Sequence, residues 1–398
     1  MISRRELMRY MGMGAVAGSL PSITYAGADT DVRLVLFILR GAVDGLALAP
    51  PYGESQYRGL RGDLAIDQSG SNGMQKLDGM FGLHPSFKNT YNMYQDREAL
   101  VIHAAASPYR ERSHFDGQDV LENGAAKVGS MRNGWLNRAI GPLGGSLGSE
   151  PAIALAQNTP LVLRGDNAVT SWAPSQLPDA GEDTLRRIES LYANDEFFAT
   201  RFQQALSSQD IAGDMPGMNG RRRNGEQEQW KQLATSAAKF LTAPDGPQIA
   251  VLEAGGWDTH ANQGAATGYL ANRFTALDEA LLSLKNGLGA KWSQTVVAVV
   301  TEFGRTVRVN GTRGTDHGTA SAALLLGGAV NGGKVVANWP GLGSGDLYEN
   351  RDLRPTTDLR SAFKSILTEH LLLADNFVDQ EVFPGSAAAR PLDGLIRA

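Results

Sequence analysis

Val32-Arg33-Leu34-Val35-Leu36-Phe37-Ile38-Leu39 runs straight into Arg40-Gly41-Ala42-Val43-Asp44-Gly45, and this stretch decides the fold class. A nearly unbroken apolar run of that length is the pattern of a strand buried on both faces, as strands of parallel sheets are. The pattern returns at 99–104, 248–252 and 295–300, and 322–326 is a fifth candidate. Between and after these runs, helical spacing occupies 85–96, 183–208, 226–241, 269–284 and 358–373. Strands alternating with helices predict an α/β fold, a doubly wound and mostly parallel sheet with helices on both faces.

Outward from that frame, composition removes several classes of function. The chain has 37 Lys+Arg against 42 Asp+Glu with no long block of either sign, so no nucleic-acid partner is expected. Arg221-Arg222-Arg223, the one basic run, follows a linker-like stretch and reads as an exposed loop. Absence of cysteine excludes disulfides, thiolate metal sites and a cysteine nucleophile, leaving oxygen and imidazole as metal donors. A flexible connection is expected near 213–225, inside a single domain covering 27–398.

The N-terminus carries an export signal. Ser3-Arg4-Arg5-Glu6-Leu7-Met8 precedes a weakly apolar stretch, 11–20, and a small-residue exit at Thr24-Tyr25-Ala26. The apolar stretch is shorter than the roughly 20 residues of a membrane helix, so cleavage after Ala26 and no stable membrane span are expected. The paired arginines make the twin-arginine translocase the expected partner and the periplasm or exterior the expected location.

In an open parallel sheet, ligands bind beyond the carboxyl ends of the strands, and those ends are polar here. Arg40 to Gly45 follows the first strand, and Ser107 to Asp116 the second. Trp257-Asp258-Thr259-His260 follows the third, and Glu302-Phe303-Gly304-Arg305 the fourth. Gly314-Thr315-Asp316-His317-Gly318 precedes the fifth. Asp258 with His260 and Asp316 with His317 supply two carboxylates and two imidazoles, a set suited to zinc or manganese. Taken singly, each pair also reads as turn capping and an exposed loop histidine. Asp44 either braces its turn or joins a site, and Glu302 either pairs with Arg305 or joins it. His84, His103 and His370 read as structural. Ser113 precedes a helical segment, where it is either an N-cap or a nucleophile favoured by free backbone N–H groups.

These motifs, in this order, resemble the exported bacterial proteins grouped as domain-of-unknown-function family 1501, which is similar to the alkaline phosphatase and sulfatase superfamily. The resemblance covers nearly the whole mature chain. It implies a doubly wound fold holding one or two divalent metals at its strand ends for hydrolysis of small anionic phosphate or sulfate esters. On that pattern Asp44, Asp258 and His260 are metal ligands and Ser113 is the nucleophile. The superfamily's Asp-His-Gly at a strand end is replaced here by Glu302-Phe303-Gly304, which makes Glu302 a second-site ligand and leaves Asp316-His317 to supply the last imidazole. Arg40, Arg112 or Arg305 is expected to balance the substrate's charge. The alternatives are a metal-dependent hydrolase of another ester class, and a non-catalytic exported binding or maturation protein on the same fold.

Replacing Arg4-Arg5 by Lys-Lys is expected to leave the precursor in the cytoplasm, because the route reads paired arginines rather than charge. Cell fractionation checks this, and export at the normal level would remove the twin-arginine assignment.

Overall fold

Successive side chains of the first strand point to opposite faces, and every one of them is covered, so the apolar run cannot alternate with polar residues. A computed structural model describes residues 31–143, 151–174, 182–192, 195–212 and 225–397. The export signal and residues 213–224 of the expected connection lie outside them. The main-sheet strands are β1 (Arg33–Leu39), β2 (Ala99–Ala106), β3 (Ala152–Ala154), β4 (Thr170–Ser171), β5 (Ile249–Ala254), β6 (Thr295–Thr301), β7 (Ser321–Leu326), β8 (Val335–Val336) and β9 (Thr357–Asp358). Their order is β8-β2-β7-β6-β1-β5-β3-β4, with β9 also paired to β2. All pairings are parallel except those of β7, which runs antiparallel to β2 and β6. The doubly wound, mostly parallel sheet expected from the sequence is therefore present. Strands β3, β4, β8 and β9 were not legible, since two or three residues are too few for a periodic signal.

The helices used below are α1 (Gly45–Leu48), α2 (Tyr57–Arg61), α3 (Lys88–Gln95), α4 (His114–Asn123), α5 (Trp135–Ile140), α6 (Glu182–Tyr192), α7 (Glu196–Ala212), α8 (Gly225–Thr242), α9 (Tyr269–Leu288) and α10 (Leu359–Ser365). One sheet face packs Val35, Phe37 and Leu39 against Phe240 of α8 and Phe274, Leu277 and Leu281 of α9. The other packs Leu34, Leu36 and Ile38 into a cluster with Trp135, Phe363 and Phe383. The helix expected at 183–208 is two helices, because the Asp195 carboxylate accepts the Phe198 N–H at 3.1 Å and caps α7. The helix expected at 358–373 leaves α-geometry after Ser365 and passes through a wider turn at Ile366–His370. No helix among the described residues is long and apolar enough to cross a membrane.

The three histidines read as structural are so placed. The rings of His84, His103 and His370 bond the carbonyls of Ala265, Ala49 and Arg33. Burial pushes His84 and His103 down to about 4, so both are neutral core groups.

The reversed direction of β7 matters most for the site. Its amino end lies at the edge where β1, β2, β5 and β6 have their carboxyl ends, so the loop preceding it meets the loops following them. Gly304 closes that meeting: its N–H donates to Thr319 O (2.9 Å), and its carbonyl accepts from Gly318 N (2.8 Å). A Cβ at 304 would overlap the Ala320 carbonyl. Gly304→Ala is expected to destabilise the chain by about 3 kcal/mol, as overpacking against backbone does. Urea unfolding checks this, and an unchanged midpoint would mean the two loops tolerate separation.

Candidate metal centre

Each loop is locked before it presents a side chain. After β5, Trp257 is fully buried, donates its indole N–H to Ala254 O (2.9 Å) and stacks on Trp230 at 5.5 Å, which fixes the entry of Asp258. Gln263 then ties three loops together. Its Oε1 accepts from Thr259 and Thr315 hydroxyls, both at 2.8 Å, and its Nε2 donates to Asp44 Oδ2 at 2.7 Å. After β2, Ser113 occupies the N-cap position of α4 and His114 begins the helix. Gly117, one turn on, lets α4 press against Phe303, since a Cβ there would stand 2.8 Å from the ring. His114 stacks on Phe303 with ring centroids 5.0 Å apart.

At the shared edge, the Nε2 of His317 lies 3.0 Å from His114 Nε2, 3.0 Å from His260 Nε2 and 3.1 Å from Asp258 Oδ1. His260 Nε2 is also 3.0 Å from Asp258 Oδ1, and His114 Nε2 is 3.5 Å from Asp258 Oδ2. Among the described residues, His114, Asp258 and His317 form a group whose donor atoms all lie within 4.8 Å of one another.

The other nitrogen of each ring is held from behind. His317 Nδ1 meets the Arg112 carbonyl at 2.9 Å, and a carbonyl only accepts, so the proton is on Nδ1 and Nε2 presents a lone pair. His114 Nδ1 meets Glu302 Oε1 at 2.8 Å, and His260 Nδ1 meets Asp316 Oδ1 at 3.2 Å. Burial works against the charge of Glu302, yet the bonds from His114, the backbone and Thr301 hold its carboxyl below the ordinary value. That same bond raises His114 against the effect of its burial. Burial, and next the charge of His114, lower His317. Asp258 is partly buried, which disfavours its charge, but Arg305 outweighs this and keeps it ionised.

With their Nδ1 protons directed backwards, these rings turn electron-rich nitrogens toward one another and toward a carboxylate. Such a set is repulsive unless a proton or cation stands within it. Nitrogen ligands of a tetrahedral zinc ion lie roughly 3.3 Å apart, close to the spacings observed, and metal-ligating histidines carry this kind of backing partner. The residues present therefore fit a nitrogen-rich divalent site.

The structure thus gathers Asp258, His260 and His317 and adds His114, which the sequence reading passed over. His114 stood in the quoted motif beside Ser113, and its signal was only that it opens a helix aimed at the strand ends. It occupies the space over Phe303, supplying an imidazole from a different element. Glu302 and Asp316, expected as ligands, each meet the Nδ1 of an imidazole, Glu302 that of His114 and Asp316 that of His260. Asp44, also expected as a ligand, is bonded within the protein. Its Oδ1 caps α1 through Leu46 N and Ala47 N, and its Oδ2 binds Gln263 and the buried guanidinium of Arg61. Ser113 sits at the N-cap, but its hydroxyl makes no capping bond.

The arginines differ from expectation too. Arg40 bonds Glu253 (3.0 Å), Glu122 (2.8 Å) and Gln118 (2.8 Å). Arg112 holds Asp352 (2.8 Å) and Glu349 and contributes its carbonyl, rather than its charge, to the centre. Arg305 bonds Asp258 Oδ1 at 2.6 Å and the hydroxyl and carbonyl of Thr315.

A family model described as a protein of unknown function (DUF1501) matches residues 31–382. The chain belongs to the DUF1501 family. No curated protein sequence matches it. Among solved structures, this DUF1501 chain is similar to the phosphonate monoester hydrolase of Agrobacterium radiobacter, at 12% identity and TM-score 0.40, covering 86% of this chain and 74% of that one. It is similar to the PsFucS1 sulfatase from Pseudoalteromonas sp., at 13% identity and TM-score 0.39, covering 92% and 74%. A third is the C-terminal periplasmic domain of EcEptC from Escherichia coli in complex with Zn, at 10% identity and TM-score 0.36, covering 76% and 74%.

In this DUF1501 protein, Glu302→Gln is expected to weaken zinc binding by about 10- to 100-fold, because a neutral amide no longer raises the basicity of His114. Competition with a chromophoric chelator measures it, and an unchanged affinity would show that His114 is not a ligand.

Proposed function

We propose that the chain is an exported metal-dependent hydrolase of phosphate or sulfate esters. The observation that carries this reading is the convergence of His114, His260, His317 and Asp258 beside a serine whose hydroxyl is left uncapped at a helix N-terminus. A divalent ion bound there supplies Lewis acidity toward an anionic ester oxygen. His114, His260 and His317 would hold it through Nε2, each aimed by its Nδ1 partner, and Asp258 would add the one carboxylate facing the centre. The free N–H groups of the first turn of α4 favour negative charge at Ser113, both on the bound ester and on the attacking oxygen. In the reaction proposed, Ser113 Oγ forms a bond to phosphorus or sulfur as the alcohol oxygen leaves, and water later releases the serine. The apolar side of the centre is closed by Phe303, which is buried behind His114.

One observation favours the non-catalytic reading, an exported binding or maturation protein. Arg40, Arg112 and Arg305 are all engaged with carboxylates of the protein itself, so none of them is free to neutralise a substrate. A screen of chromogenic phosphate and sulfate esters with zinc or manganese separates the two. Turnover supports the hydrolase, and bound metal without turnover of any ester supports the binding protein.

Because the Ser113 hydroxyl makes no cap bond, Ser113→Ala and Ser113→Gly are each expected to change stability by less than about 1 kcal/mol. Both are expected to lower turnover by at least about a thousandfold, through loss of the covalent route. Turnover at the wild-type rate in both variants would assign the attack to water or to another residue.

A further inference from the structure

We propose that the centre is mononuclear, taking one divalent ion per chain, because Asp44 and Glu302, the buried carboxylates that a second ion would need, are already closed by the protein's own donors, a buried guanidinium among them. The inference rests on the metal-binding reading of the site and narrows it.

Asp44, Asp258, Glu302 and Asp316 are the carboxylates that the sequence offered as ligands, and their oxygens can be followed one by one. Asp44 is 1% exposed and paired with Arg61, which is 0% exposed; two backbone N–H groups and Gln263 complete its bonds. Glu302 Oε1 accepts from Gly41 N (2.8 Å), His114 Nδ1 (2.8 Å) and Gln118 Nε2 (3.3 Å), and its Oε2 accepts from Thr301 (2.9 Å). Asp316 Oδ1 accepts from Asn310 Nδ2 (3.0 Å) and meets the Nδ1 of His260, the nitrogen facing away from His317, so this half-exposed carboxylate stands behind that ring, with only its Oδ2 unbonded among the described residues. Asp258 Oδ1 takes Arg305 at 2.6 Å while facing His260 and His317, and its Oδ2 lies 3.5 Å from His114 Nε2, so both oxygens turn to the same group of imidazoles.

One carboxylate, that of Asp258, and the imidazole nitrogens facing it make a donor set for one ion. Arg61 and Arg305 also oppose a second ion by charge. Both guanidiniums are fully buried and cannot lose their protons, and a dication beside either would meet fixed positive charge where water does not screen it. The two guanidiniums thus supply, beside Asp44 and Asp258, the positive charge that another metal would otherwise bring there.

The test uses the full mature chain, stripped with chelator and then titrated with zinc against a chromophoric competitor, with bound metal counted by mass spectrometry after desalting. One tight equivalent per chain is expected. The double variant Asp44→Asn, Arg61→Met removes that pair together and is expected to keep the same stoichiometry. Two tight equivalents in the wild type, falling to one in the double variant, would overturn the mononuclear centre while leaving metal binding intact. No bound zinc in the wild type would overturn both this inference and the reading it rests on. If the double variant does not fold, the wild-type count alone decides.

Discussion

The buried ion pair between Asp44 and Arg61 holds together the edge of the molecule on which everything else depends. A charge pair with almost no exposure is tolerable only when its remaining lone pairs and protons are also bonded, and breaking one partner typically costs about 3–5 kcal/mol. Here the remaining acceptor capacity of Asp44 is taken by the first turn of α1 and by Gln263, while Arg61 donates from Nη1 to the carbonyls of Thr306 and Val307 and only its buried Nε is left without a partner among the described residues. Gln263 in turn fastens the loop that carries Asp258 and His260 to the loop that carries His317. The loop after β1 is thereby coupled to the loops around β5 and β7 through one amide side chain. The arrangement is held for a reason of chemistry: the amide of Gln263 offers both an acceptor oxygen, used twice, and a donor nitrogen, used toward Asp44.

A second layer of order acts on the imidazoles. A histidine can present a lone pair in a fixed direction only if the other nitrogen is held, and His114, His260 and His317 are held by a buried glutamate, a half-exposed aspartate and a main-chain carbonyl. The differences among these partners grade the rings electrostatically, since Glu302 raises His114 while burial lowers His317. Glu302 is itself kept charged by the His114 ring, the backbone and Thr301, and Gln118 links it to Arg40. The charges that surround the centre are therefore balanced one layer out from the atoms that face it.

Much of this was legible in the chain. The apolar runs at 33–39, 99–106, 249–254, 295–301 and 321–326 are strands because continuous burial on both faces demands continuous hydrophobicity. Asp258, His260 and His317 were legible as candidates because polar residues at strand ends have few reasons to be imidazoles and carboxylates together. The exchange of roles was not legible. Asp44 and Glu302 look like ligands in one dimension, since an acidic residue after a buried strand is as well suited to a metal as to a guanidinium. Which one it meets depends on Arg61, 17 positions away, and on His114, 188 positions away.

The sequence alone determined the five long strands, the mostly parallel plan and the loops in which chemistry could reside, because local periodicity records burial directly. Tertiary structure alone decided which of the polar residues face one another. His114 enters over Phe303 because Gly117 leaves room for α4, and His317 arrives because β7 runs backwards and brings its amino end to the shared edge. Neither the space beside one glycine nor the direction of one strand is written in a residue's own identity. Both are set by long-range packing, and packing determines whether a carboxylate is left with a lone pair for a metal or has already given it to an arginine.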